Sequence, residues 1–333
     1  MEIPKAAELA QKVISDHNEK QFASIALEVY HFQFLNNPLY QQFCRALNRT
    51  PELVQSLEQI PFLPISFFKS HQVKTGSFDP ELVFQSSGTT GHNSMHYVRD
   101  AALYRQSFFS GFELFYGKPE DYCVLGLLPS YLERGQSSLV YMVDHLIRQS
   151  GREESGFYLH DHDRLNAMLK QLEHRKQKTI LIGVSYALLD FASQYPGTLR
   201  HCILMETGGM KGRRREMTRA ELYEELKNAF GLSEVHSEYG MTELLSQAYA
   251  VDGLFSTPPW MKILIRDETD PFHFYGPKEN GRSGAVNVID LANLYSCSFL
   301  ATEDMGRIHE TGQVEVLGRL DYSDIRGCSL MVS

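Results

Sequence analysis

The chain has no apolar run approaching the roughly 20 residues that a membrane-spanning helix needs. Its first fifteen residues contain no long apolar stretch of the kind that marks a secretory signal. An excess of positive charge is also missing, since the formal net charge is -9 over 333 residues. That excludes the basic face with which nucleic-acid binders displace counterions. It leaves a nucleotide open as ligand, because a small phosphate site needs only a few local donors. The five cysteines (Cys44, Cys123, Cys202, Cys297, Cys328) are odd in number and scattered, with no Cys-x-x-Cys pair. Neither a zinc site nor a disulfide framework is indicated, and none of the thirteen histidines has zinc-ligand spacing. A reducing cytoplasm is the expected location. No internal repeat or low-complexity segment interrupts the chain. What remains, 43% hydrophobic and 22% charged residues, is ordinary for a soluble globular protein and sufficient for one large domain or two.

The first 60 residues read mostly as helix, with Ile25, Val29, Phe32 and Leu35 at helical spacing. Leu82-Val83-Phe84 and Met95 to Val98 read as strands on either side of a loop rich in glycine and hydroxyls. Asp100 is a helix cap before the stripe Ala101, Tyr104, Phe108, Phe112 and Phe115. From there strands and helices alternate. Apolar runs at Cys123 to Leu128, Thr179 to Val184 and Cys202 to Met205 are separated by helical segments near Ser137 to Arg148 and Tyr186 to Ala192. A last helix opens on the capping box Thr218/Glu221 and stops at Gly231. Continuous apolar strands parted by helices predict an α/β fold with a parallel sheet covered on both faces. Ligands of such sheets sit at the strands' carboxyl ends. Beyond Pro259 shorter strands (Met261 to Arg266, Ala285 to Leu291, Cys297 to Thr302, Gln313 to Leu317) predict a smaller β-rich part. The expected divisions are a catalytic domain over 1–318, comprising a helical lead-in (1–80), an α/β core (81–257) and the β-rich subdomain (258–318). A residual hinge and tail would occupy 319–333.

Three motifs can carry chemistry. In Ser86-Ser87-Gly88-Thr89-Thr90-Gly91, the glycines let backbone N–H groups approach an anion and four hydroxyls add donors. It is not a Walker A loop, because Gly-Lys-Ser/Thr is absent and strands flank it. Alone it is also compatible with a polar hairpin loop. Tyr239-Gly240-Met241-Thr242-Glu243 places a hydroxyl and a carboxylate after a glycine. Such oxygen ligands can hold a phosphate and its Mg2+, although Thr-Glu also commonly opens a helix. In Thr302-Glu303-Asp304-Met305-Gly306, an acid after a strand can accept ribose hydroxyls. Downstream, Arg319 in Gly318-Arg319-Leu320-Asp321 can bridge ribose and phosphate. A surface turn is the plainer reading of this third motif.

In this order the motifs resemble the adenylate-forming superfamily of acyl-CoA synthetases, firefly-type luciferases and peptide-synthetase adenylation domains. The resemblance runs from about Gln85 to Asp321. Within the superfamily the chain looks like the acyl-protein synthetases of the bacterial bioluminescence fatty-acid reductase. Leu128-Pro129-Ser130-Tyr131-Leu132-Glu133-Arg134, Glu206-Thr207-Gly208-Gly209-Met210-Lys211-Gly212 and Asp324-Ile325-Arg326-Gly327-Cys328-Ser329-Leu330 carry that likeness. Two departures stand out. His92-Asn93-Ser94 replaces the Pro-Lys that commonly follows the phosphate loop. Only Tyr322 to Ser333 follow Gly-Arg-x-Asp, where typical members carry a C-terminal domain with a catalytic lysine. The expected fold is therefore the superfamily's N-terminal domain with that C-terminal domain absent.

The resemblance implies ATP and Mg2+ as cofactors and a set of roles. Ser86, Ser87, Gly88, Thr89, Thr90 and Gly91 would take the β- and γ-phosphates, Thr242 the α-phosphate and Glu243 the magnesium. Asp304 would hold the ribose, and Arg319 ribose or phosphate. Glu206, Thr207, Gly208 and Gly209, with Ser237, Glu238, Tyr239 and Gly240, would flank adenine, Tyr239 stacking on it. Cys328, with Arg326 nearby to favour the thiolate, matches the cysteine that accepts the acyl group and passes it to a partner reductase. The implied activity is an acid–thiol ligase activating a fatty or other carboxylic acid. An acyl- or aryl-CoA ligase relative and a non-catalytic acyl- or nucleotide-binding regulator are the alternatives.

Overall fold

A computed structural model describes residues 3–86, 93–129, 136–208, 217–276, 279 and 281–319. Three helices open the chain: α1 (Ile3–Val13), α2 (Glu19–Asn36) and α3 (Pro38–Ala46). Asn18 and Gln21 form a reciprocal capping box at the start of α2. Asn37 ends α2 and caps α3, whose first residue, Pro38, needs no hydrogen-bond partner for its nitrogen. The buried stripe of α2 is Phe22, Ala26, Val29, Tyr30 and Gln33, whereas Leu35 is 56% exposed. Val29 and Phe32 of the expected stripe are buried and Ile25 packs against the core, so only Leu35 departs from it, and the buried face also takes in a polar residue, Gln33, at 0% exposure. Its side chain donates to the carbonyls of Asn293 and Leu294 and accepts the Ser298 N–H.

A short strand, β1 (Leu63–Pro64), and a one-turn helix, α4 (Phe67–Ser70), follow. Strands β2 (Leu82–Gln85) and β3 (Met95–Val98) pair antiparallel as a separate two-stranded sheet. The alternating region then runs α5 (Ala101–Tyr116), β4 (Cys123–Leu127), α6 (Ser138–Ser150), β5 (Gly156–Phe157) and α7 (His162–His174). It continues with β6 (Thr179–Gly183), α8 (Ser185–Gln194), β7 (Cys202–Glu206), α9 (Arg219–Phe230) and β8 (His236–Tyr239). Strands β5, β4, β6, β7 and β8 lie side by side in that order, all parallel. Alternate residues enter two separate cores. Leu125, Leu181 and Leu204 pack with Leu169 of α7, Leu188 of α8 and Leu226 of α9. Val124, Ile180 and Met205 face the other way, toward Phe108 of α5 and Val143 of α6. Each such side chain, removed from water, contributes on the order of 2 kcal/mol. Burial on both faces is why β4, β6 and β7 are almost continuously apolar.

The sheet does not stop at β8. Antiparallel strands β9 (Ala248–Val251), β10 (Leu254–Ser256), β11 (Met261–Arg266), β12 (Ser283–Asp290), β13 (Phe299–Ile308) and β14 (Val314–Arg319) extend it. They continue in the order β8-β9-β10-β14-β13-β12-β11, so the strands of 258–318 share one hydrogen-bonded sheet with those of the α/β core. β13 runs six residues past the expected end at Thr302. A register shift between Met305 and Gly306 lets it continue alongside β14. Asp304 is therefore inside a strand, opposite Arg319, and not in a turn after one.

Candidate functional site

The second motif lies where the sheet changes from parallel to antiparallel. Thr242 and Glu243 occupy the centre of a tight turn between β8 and β9, closed by the Leu244 N–H to Met241 carbonyl bond of 3.0 Å. The Thr-Glu pair thus opens no helix. The main chain after it cannot form a ladder and is satisfied by side chains instead. Asp290 accepts the N–H groups of Leu245 and Ser246, both at 2.9 Å, and the Ser246 hydroxyl at 2.6 Å. Asn293 donates to the Glu243 carbonyl at 2.7 Å and accepts from Leu245. Burial pushes the fully buried Asp290 carboxyl upward, against the pull of these donors. From the other side His96 of β3 approaches the Thr242 carbonyl, with Nδ1 at 2.8 Å. Burial lowers the His96 pKa to about 4, so the ring is neutral.

The first motif meets this turn through its outgoing strand. Ser86 closes the base of the loop: its N–H donates to the Ser94 carbonyl at 3.0 Å and its Oγ accepts the Ser94 N–H at 2.9 Å. Ser94 is buried, and its side chain acts electrostatically on the Glu243 carboxyl. Burial pushes the Glu243 carboxyl above the ordinary range. The Ser94 hydroxyl and the charges of Lys69 and Arg319 oppose that shift. A lone carboxylate beside a threonine hydroxyl is a hard oxygen donor set. Among the described residues no group of three or more His, Cys, Asp or Glu side chains gathers that could hold a metal. The donors therefore suit a magnesium held mainly by phosphates and water, with one protein carboxylate, and not an all-protein cage.

The third motif joins the second directly. The Tyr239 hydroxyl donates to Asp304 Oδ2 at 2.8 Å, and Arg319 stands 3.9 Å from Asp304 Oδ1. The Tyr239 ring is buried with its edge toward Phe255, 5.8 Å between centroids. Burial raises the Asp304 pKa, while the Tyr239 hydroxyl and the Arg319 charge restrain the rise. At the neighbouring strand end, one oxygen of buried Glu206 accepts from the Ser185 hydroxyl and the Gly208 N–H. Its other oxygen lies 3.4 Å from the Ser237 hydroxyl, which also meets Tyr223. Thr207 donates back to the Gly183 carbonyl. Glu206 to Gly208 and Ser237 to Gly240 thus lie at the carboxyl ends of two adjacent strands. Glu238 points to the opposite face from Ser237 and Tyr239 and is paired in register with Tyr249.

Several expected residues fall outside the described ones: Ser87, Gly88, Thr89, Thr90, Gly91, Gly209 and Cys328. The phenylalanine stripe of α5 packs as core, with Phe108 and Phe112 fully buried. His236 immediately precedes the Ser237–Gly240 segment. It stands at the other end of β8, against Glu234 and Tyr116. His96, Ser94, Lys69, Asp290 and Asn293 are the site residues that sequence reasoning missed. Cys44, Cys123, Cys202 and Cys297 are all buried, and burial raises every one of these thiols, Cys44 to about 12.

No family model matches the chain. It is 26% identical to the long-chain-fatty-acid–luciferin-component ligase of Vibrio harveyi, over 95% of this chain and 88% of that protein. Among solved structures it is similar to ATP-bound MatB from Rhodopseudomonas palustris, with a TM-score of 0.54 and 18% identity over 73% of this chain and 49% of that one. An ATP-bound chimera, RpMatB-BxBclM B3, matches with a TM-score of 0.52 and 16% identity, over 73% of this chain and 49% of the other. The chain spans about half the length of these two solved structures. At such identities the likeness establishes the fold, which is that of the adenylate-forming enzymes.

Proposed function

We propose that this chain, related by fold and sequence to the adenylate-forming ligases, uses ATP to activate a fatty or other carboxylic acid as an acyl-adenylate. One observation carries the reading: side chains from three distant segments meet at one turn. His96, on the strand leaving the first motif, meets the Thr242 carbonyl, and Tyr239 contacts Asp304, which faces Arg319. A carboxylate is already ionised at neutral pH, so its attack on the α-phosphorus needs no general base. What the protein must supply is in-line positioning and relief of negative charge. Loop 86–91 would take the β- and γ-phosphates, and Thr242 would donate to the α-phosphate. Glu243 would hold the Mg2+, which supplies charge neutralisation when bound. Asp304, oriented by Tyr239, would accept from the ribose hydroxyls, and Arg319 would meet ribose or phosphate. Adenine would lie between Glu206–Gly209 and Ser237–Gly240. The carboxylate oxygen bonds to phosphorus as the bond to the β-phosphate oxygen breaks, and pyrophosphate leaves.

The acceptor we assign is Cys328. Its thiolate would attack the acyl carbon and displace AMP, leaving a thioester for transfer to a reductase partner. The Vibrio harveyi relative is a ligase of a long-chain fatty acid and a luciferin component, which supports a fatty acid as the substrate. The burial of Cys44, Cys123, Cys202 and Cys297 supports Cys328 as the acceptor, since none of the four presents a ready thiolate. The test of the site is Glu243→Ala. Acid-dependent exchange of pyrophosphate into ATP should fall by 100-fold or more, on the order of removing a principal electrostatic group. Exchange at the wild-type rate would refute the magnesium assignment.

A further inference from the structure

We propose that His96 is a positioning residue of this site, holding the Thr242–Glu243 turn in register with the phosphate loop; the proposal rests on the reading of the site given above. The geometry defines its state. A carbonyl only accepts, so His96 Nδ1, 2.8 Å from the Thr242 oxygen, carries the proton. Nε2, 2.9 Å from Ser296 Oγ, must then accept the serine hydroxyl. The other acceptor within reach of that hydroxyl, the Asn293 carbonyl, is farther at 3.4 Å. The Thr242 carbonyl therefore selects the tautomer, and the Ser296 hydroxyl can donate to the nitrogen it leaves unprotonated.

The period-2 alternation of an extended chain explains why a strand leaving the phosphate loop can do this. Ser94, His96 and Val98 point to one side of β3 and are 2%, 1% and 2% exposed. His96 takes the Thr242 backbone, while Ser94, two residues before it, draws the Glu243 carboxyl downward against burial. The turn is thus held by a side chain of the strand that leaves the loop. The far end of the relay is also anchored. The Ser296 carbonyl accepts from Asn37 at 3.0 Å and from Thr75, and the ring edge of His96 packs on Phe68. With water excluded from His96, an apolar replacement would leave the Thr242 carbonyl and Ser296 hydroxyl without their partner. The turn could then shift against the loop. Thr242 and Glu243 are assigned to phosphate and magnesium, so such a shift would weaken the reaction step more than ATP binding.

The experiment separates positioning from simple structural support. His96→Asn keeps an N–H donor near the place of Nδ1 but gives up the bond to Ser296; His96→Leu gives up both. Acid-dependent pyrophosphate exchange, with kcat and the KM for ATP resolved, should show kcat of H96L reduced roughly 10–100-fold, the range typical of groups that orient a primary ligand. KM should move far less, and H96N should recover most of the loss, although both variants lose the Ser296 bond and part of their thermal stability. If H96L does not fold, H96Q, which reaches Ser296 and not Thr242, takes its place with the same expectation. H96N as impaired as its comparison variant, or losses that follow thermal stability alone, would overturn the proposal. Nitrogen-15 NMR of histidine-labelled wild type, with the His96 signals identified by their loss in H96N, should show an Nδ1-protonated ring; an Nε2-protonated ring would also overturn it. Wild type lacking exchange with every acid would instead defeat the functional reading, which the variant comparison and the ring spectrum distinguish from a failure at His96.

Discussion

Glu238 precedes the motif tyrosine and is 9% exposed, opposite Tyr249 and folded against Gly240. Burial, and then the charge of Glu206, raise its pKa from 4.5 to about 8. Between those values the folded chain binds a proton that the unfolded chain releases, so this residue makes stability fall as pH rises from about 4.5 through about 8. The span corresponds to an upper bound of about 5 kcal/mol. His96 acts oppositely, below pH 6.5, but is common to wild type and Glu238→Gln. Denaturant unfolding of both proteins from about pH 5 to about pH 8.5 should show a shallower loss with rising pH in the variant. Equal pH slopes would contradict the assignment. The contrast between Glu238 and His96 also marks what is legible residue by residue. Thr242, Glu243, Asp304 and Arg319 stand in short local signatures that can be read from the sequence. His96 does not: its two partners lie 146 and 200 residues away, and Met95-His96-Tyr97 is an unexceptional strand sequence. Asp290 and Asn293 are hidden in the same way, because what they satisfy is the backbone of a remote turn.

At the scale of elements, local chemistry was readable wherever it was self-contained. Thr218 and Glu221 bond reciprocally at the start of α9, and Gly231, with φ at 63°, ends it. Thr218→Ala should cost about 1 kcal/mol and leave exchange activity unchanged, since the cap contacts none of the site side chains. Equilibrium unfolding beside an exchange assay checks both halves; no loss of stability would contradict the first, and loss of exchange the second. Apolar strands buried on both faces were equally legible. Strands β8 to β10 were not, because β8 carries His236, Ser237 and Glu238, which read as polar loop. The hairpin signal after them is clear in retrospect: Asp252 and Gly253 both have positive φ and join Val251 to Leu254, as a two-residue turn requires. β13 was cut short because Glu303 and Asp304 suggest a turn; the bulge and the pairing with β14 keep them in the strand.

The whole molecule is organised by one sheet that runs through both its parallel and antiparallel parts. Its seam, between β8 and β9, is where the Thr242–Glu243 turn emerges. The end of β7 and the Asp304–Arg319 pair flank it. Residues 200 positions apart therefore converge there, and the β2–β3 pair, which flanks the loop proposed to take phosphate, lies outside this sheet. The reaction proposed for this convergence is formation of an acyl-adenylate. The most direct test is ATP–pyrophosphate exchange by the intact chain against a panel of fatty and aromatic acids, with covalent acyl labelling read in the same tubes for wild type and Cys328→Ser. The account predicts exchange stimulated by fatty acid in both proteins and labelling in wild type alone. ATP binding without exchange for any acid would contradict adenylate formation, and labelling that survives in C328S would contradict the assigned acceptor.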